Sequence, residues 1–128
     1  MQNKSAIETI YQKLSAIRRS VPKVNYGGCG WMALYLCEYF QKKEIDCKII
    51  QFKIRWLGFC HFMVKTKYQY CIDVNGRWSW LYAFFLNIFC KKYTYSKHDL
   101  EVRLSNKKLW NKKFNPNYAN VIKIIMEK

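Results

Sequence analysis

Acidic residues are scarce in this chain: 8 Asp and Glu stand against 23 Lys and Arg, for a formal net charge of +15 over 128 residues. Proline occurs twice and glycine five times, and no stretch is rich in Gly, Pro or Ser. That excludes low-complexity classes and leaves no linker at which to divide the chain. Long apolar runs are also missing. Even the long uncharged stretch from Trp78 to Cys90 falls short of the roughly 20 apolar residues that a membrane span needs. The first residues, Met1 to Glu8, have no apolar segment and carry an early acid, so they do not read as a signal peptide. The expectation is a soluble, cytoplasmic protein without a transmembrane span, located in the host cytoplasm if viral. No Cys-x-x-Cys pair occurs, which leaves a zinc site without support, and neither metal nor cofactor is expected.

Large rings and positive charge are abundant. Hydrophobic residues make up 51% and aromatics 18%, which excludes disorder and suffices for one core. The excess of Lys and Arg implies an anionic partner or surface, or at least self-repulsion that keeps the protein soluble. Cysteines stand at 29, 37, 47, 60, 71 and 90. Without an export signal they read as small core residues rather than a disulfide set, Cys29 excepted.

The hydrophobic pattern predicts an α+β domain over residues 1–128. A helix starts near Ser5, where Ser5-Ala-Ile-Glu8 fits a capping box, presents Ile7, Ile10, Tyr11, Leu14 and Ile17, and ends at Pro22. Gly30 to Lys42 is apolar nearly all round and reads as a central helix. Ile50, Phe52, Ile54 and Trp56 alternate with Gln51, Lys53 and Arg55 as a strand. His61–Lys65 and Tyr68–Asp73 form a hairpin, and Asn75-Gly76 turns the chain into Arg77-Trp78. Ser79 to Cys90 reads as a helix and Lys91 to Lys113 as a basic, irregular region. A last helix has Asn115 as N-cap and Pro116 at its first position, and presents Tyr118, Val121, Ile122 and Ile125. The architecture is a central helix bearing Cys29 on a small antiparallel sheet, with flanking helices.

Asn25-Tyr-Gly-Gly-Cys29-Gly-Trp31 places a cysteine between a glycine-rich loop and the start of the central helix. A helix N-terminus favours thiolate over thiol, and its free N–H groups can hold a developing oxyanion. A nucleophilic thiol needs a base, and the chain has two histidines. If the hairpin pairs Phe62 with Ile72 and Val64 with Tyr70, one face is apolar. On the other, His61 sits against Asp73, Met63 against Cys71 and Lys65 against Gln69. A one-residue slip would oppose apolar and polar positions, so the pattern itself selects a register that joins His61 to Asp73. Singly, each residue has an ordinary explanation: a packed cysteine, a core histidine, and an Asp in a turn. His98-Asp99 reads as a surface turn, with Asp99 opening a strand.

Gly27-Gly-Cys-Gly-Trp-Met-Ala-Leu34, His61-Phe-Met-Val64 and Tyr70-Cys-Ile-Asp-Val-Asn-Gly-Arg-Trp78 resemble the papain-like cysteine peptidase superfamily, closest in order to its transglutaminase-like and bacteriocin-processing branches. The resemblance covers about residues 25–80, leaving an N-terminal helix and a basic C-terminal extension. It implies Cys29 as nucleophile, His61 as general acid and base, and Asp73 as orienting residue. It places Asn25, Gly28, Gly30, Trp31, Met63 and Trp78 around the oxyanion and substrate. Peptidases of the superfamily often carry a Gln about six residues before the Cys; Lys23 stands here instead. The function implied is a hydrolase or acyltransferase on a protein or peptide-like, acidic substrate. The rival is a basic binding module for nucleic acid or an acidic protein. It would use Lys91, Lys92, Lys97, Arg103, Lys107, Lys108, Lys112 and Lys113 with interleaved Tyr93, Tyr95, Trp110 and Phe114. A viral inhibitor that docks on a host protein without chemistry is a third reading.

Overall fold

The computed structural model describes residues 2–22, 24, 28–54, 60–66, 71–77, 88–105 and 117–128. Among them the order is α1 (Gln2–Ser20), α2 (Cys29–Lys42), β1 (Cys47–Ile54), β2 (Cys60–Thr66), β3 (Cys71–Asp73), β4 (Gly76–Arg77), β5 (Cys90–Tyr95), α3 (Lys97–Ser105) and α4 (Asn117–Glu127). The chain is α+β, with the Cys29 helix at its centre.

α1 begins at Gln2, before Ser5, so Ser5 lies inside the helix instead of capping it. Gln and Lys cost little in a helix, and the first turn extends through them. Ile10, Leu14 and Ile17 are fully buried. The helix stops where Val21 N–H closes on Ile17 O at 2.8 Å, because Pro22 has no N–H to offer and disfavours helical backbone at Val21. α2 is buried on most sides, through Met32, Ala33, Leu36, Cys37 and Phe40 among others. It packs on β1, β2 and β3, and also contacts α3 and α4. In α4, Tyr118, Val121, Ile122 and Ile125 pack on the core as expected; its expected start at Asn115 and Pro116 lies outside the described residues.

The five strands form an antiparallel sheet in the order β4-β3-β2-β1-β5. β1 spans 47–54, not 50–56, and Arg55 and Trp56 lie outside the described residues. Its middle is buried on both faces, so of the expected polar positions Gln51 is buried and Lys53 exposed. Ile49 joins Phe62, Val64 and Ile72 in the main core with α2, while Ile50 and Phe52 join Met63, Cys71 and Cys90 in a second cluster. Gln51 is only 4% exposed and accepts a hydrogen bond from Tyr95 O–H at 2.9 Å. Arg103 of α3 donates to the same Tyr95 oxygen at 2.7 Å, tying α3 to the sheet.

The segment expected to be irregular carries two regular elements, β5 and α3. Ile88 and Phe89 are helical, as expected of the 79–90 segment, and Cys90 opens β5; residues 79–87 lie outside the described residues. Tyr93, Thr94 and Tyr95 favour strand, and their pairing with β1 overrides the like charges of Lys91 and Lys92. Ser96 Oγ accepts from Asp99 N–H at 3.1 Å and caps α3, so Asp99 sits in the first turn of a helix, where its charge suits the dipole, and opens no strand. Among the described residues no helix is long and apolar enough to cross a membrane.

Candidate active site

Topology brings three chain ends together. β1 follows α2 after a tight turn and runs back along it, so β1 finishes near the start of α2. β2 is antiparallel to β1 and begins there; β3 is antiparallel to β2 and returns there. Cys29, the first residue of α2, His61, near the start of β2, and Asp73, the last of β3, therefore share one end of the sheet.

The register differs from the expected one. Val64 pairs with Ile72 and Lys65 with Cys71, a slip of two residues from Phe62 opposite Ile72. Asp73 is thus diagonal to His61, not directly across. A two-residue slip leaves every side chain on its face, because alternation has a period of two. Diagonal neighbours stay within reach of longer side chains. The contact forms: His61 Nε2 lies 2.8 Å from Asp73 Oδ2. Hydrophobic alternation fixed the face but not the register, since Ile72 packs as well against Val64 as against Phe62. The hairpin tip, 67–70, lies outside the described residues.

Asp73 is 2% exposed and divides its two oxygens. Oδ2 meets His61, while Oδ1 accepts from Asn75 N–H at 2.8 Å, an Asx-turn that shapes the two-residue connection Val74-Asn75. Gly76 follows at φ +102°, a conformation suited to glycine. Arg18 of α1 donates to Val74 O and holds the turn from behind. The turn role and the site role of Asp73 are therefore the same arrangement.

His61 is 14% exposed on its side chain. Burial pushes its pKa down, but the hydrogen bonds to Asp73 and to the Cys29 side chain, with the charges of both, outweigh burial and raise it to about 9. An ionised carboxylate only accepts, so Nε2 carries the proton toward Asp73 and Nδ1 is the nitrogen left for Cys29.

Cys29 is 6% exposed. Gly28 is its N-cap, at φ −94° and ψ −5°, without a side-chain cap, and Met32 N–H bonds back to Gly28 O at 3.0 Å. The N–H groups of Cys29, Gly30 and Trp31 precede that bond and have no acceptor within the helix. Gly28 and Gly30 are buried beside the sulfur-bearing residue. Trp31 is half-buried and stacks on Tyr35 one turn along, with ring centroids 6.4 Å apart. Met63 does not line an open pocket as expected: it is 1% exposed, packed in the second cluster with Ile50, Phe52, Cys71 and Cys90. Asn25 and Trp78 lie outside the described residues.

Sequence reasoning missed Arg18 and the Asn75 amide. The signal for the second was present in Asp73-Val-Asn-Gly76, an Asx-turn sequence. Among the described residues no group of three His, Cys, Asp or Glu side chains could hold a metal ion. Of the basic residues considered for nucleic acid, Lys97 is paired with Glu38 at 3.1 Å and Glu101 at 3.7 Å, and Arg103 with Tyr95. Lys107, Lys108, Trp110, Lys112, Lys113 and Phe114 lie outside the described residues. The arrangement as a whole offers a thiol, an imidazole engaged on both sides, and a carboxylate fixed by its own turn. Comparisons with family models, with curated proteins and with solved structures returned no match for this chain.

Proposed function

We propose that this chain is a cysteine-dependent hydrolase or acyltransferase of papain-like type, acting on an amide, isopeptide or thioester of a protein or peptide substrate. The observation that carries the reading is the position of His61, bonded to Asp73 on one side and to Cys29 on the other. Cys29 Sγ attacks the substrate carbonyl carbon, and the thiol proton resides on His61. The carbonyl oxygen takes up the negative charge, and N–H groups at the start of α2 stabilise it. The tetrahedral intermediate collapses, the bond to the leaving group breaks, and His61 returns its proton to that group. Water or an amine then attacks the thioester, with His61 again moving the proton, and the free thiol is regenerated. Water gives hydrolysis and an amine gives transfer. Asp73 holds the imidazole in the tautomer that presents Nδ1 to the sulfur.

Alkylation by iodoacetamide at neutral pH, followed by peptide mass mapping, tests the reading. Cys29 is expected to react faster than Cys37, Cys47, Cys71 and Cys90, and to slow by at least about tenfold in His61→Ala, in line with general-base contributions of roughly 10²–10⁴. Equal rates in the two proteins would make Cys29 a packing residue.

A further inference from the structure

The outer face of the sheet carries three lysines on adjacent strands. Lys48 of β1 is directly opposite Lys65 of β2. Like charges in that relation destabilise a sheet. Lys92 of β5 lies on the same face: Phe52 is flanked in one cross-strand row by His61 on β2 and Lys92 on β5. Burial raises the pKa of the Cys71 thiol, and the charges of Lys65 and Lys92 act against that rise, so both ammonium groups reach the same patch. Among the described residues none of the three lysines joins an ion pair.

These lysines line a groove of about 320 Å³ with Ile50, Thr94 and Asp46, the one acid on its described lining. The rows of the sheet give its course. Lys92 is level with His61, two strands away or about 10 Å. The next row is Met63, Ile50 and Thr94, and the one after holds Lys65 and Lys48. The basic track therefore runs from Lys92, which buried Phe52 separates from His61, to Lys48 and Lys65, over two rows or about 13 Å at roughly 3.3 Å per residue. That is the length of about four extended residues. Among the described residues the lining offers ammonium and hydroxyl donors and no aromatic ring on which a base could stack, which favours a carboxylate-bearing chain over a nucleic acid.

We propose that the Lys48–Lys65–Lys92 groove is an exosite for an acidic segment of the polypeptide substrate, a few residues along the chain from the carbonyl that reacts at Cys29. The substrate role rests on the cysteine-hydrolase reading above. The groove selects substrates by charge and supplies binding energy remote from the reacting bond.

Fluorescence anisotropy of a labelled hexaglutamate peptide tests the groove without calling on catalysis. The full-length protein is expected to bind it in a strongly salt-dependent manner. Lys48→Ser/Lys65→Ser/Lys92→Ser is expected to weaken binding by about tenfold or more, as three exposed ion pairs together allow, while the rate of Cys29 alkylation stays unchanged. Lys48→Glu alone should raise the melting temperature, by pairing with Lys65, and weaken peptide binding, a combination that a purely structural lysine would not produce. Undiminished hexaglutamate binding by the triple variant would overturn the exosite. So would a dT oligonucleotide that binds more tightly than hexaglutamate and loses affinity in the same variant. Alkylation separates the two readings: His61-dependent alkylation without peptide binding removes the exosite and leaves the active site standing. Peptide binding through the lysines with ordinary, His61-independent alkylation removes the substrate role, and with it the proposal.

Discussion

Replacing Asp73 with Asn removes the charge facing His61 while keeping the shape of the side chain. The Asn oxygen can still accept from Asn75 N–H, so the turn should persist. The imidazolium is held at about 9 in the folded protein against an ordinary value of 6.5. A difference of about 2.5 pH units corresponds to a ceiling on the order of 3 kcal/mol. Because the folded pKa is the higher one, this contribution is complete below about pH 6.5 and is lost as pH rises through about 9. In Asp73→Asn the amide N–H₂ faces Nε2, the ring proton moves to Nδ1, and burial pulls the imidazolium's pKa down. The variant should therefore fall furthest behind wild type under mildly acidic conditions, with the gap closing toward alkaline pH. Urea unfolding of both proteins across that window measures the gap, and the repulsion of the +15 net charge largely cancels between them. A gap that is the same at every pH would show that Asp73 contributes only its turn. The same variant should lose rapid Cys29 alkylation, since a protonated Nδ1 cannot accept the thiol proton.

Two further substitutions test the elements that frame the site. Gly76→Ala should lower stability by about 1–2 kcal/mol in thermal melts: among the described residues the added methyl would meet the Tyr11 ring at 3.8 Å, an ordinary contact, so the cost is that of φ +102°. Ser96→Ala should cost about 1 kcal/mol by removing the N-cap of α3, with faster amide exchange at Asp99 as the local sign.

The central helix was legible because a run of its length that is apolar nearly all round is a helix packed on several sides, and the face shared by His61 and Asp73 because burial imposes a period of two in β2. The exact pairing was not. Alternation is blind to a slip of two, and the information that removes the ambiguity resides in the tip of the hairpin. β5 and α3 were missed for a different reason. Lys91, Lys92 and Lys97 obscured a strand whose neighbours Tyr93, Thr94 and Tyr95 favour one, and a cap, Ser96 to Asp99, whose spacing was there to be read. Gln51 looked like a surface residue because its partner, Tyr95, is 44 positions away. A buried polar side chain satisfied at that distance leaves no local trace in a sequence.

The divided carboxylate of Asp73 also couples two structures: the Asx-turn that shapes the β3–β4 hairpin and the hydrogen bond that fixes the imidazole use the same side chain. A nascent or partly unfolded chain thus carries a thiol and a histidine but no oriented pair. On the proposed function, reactivity would depend on the closing of a two-residue turn, and the enzyme would be its own check on completed folding.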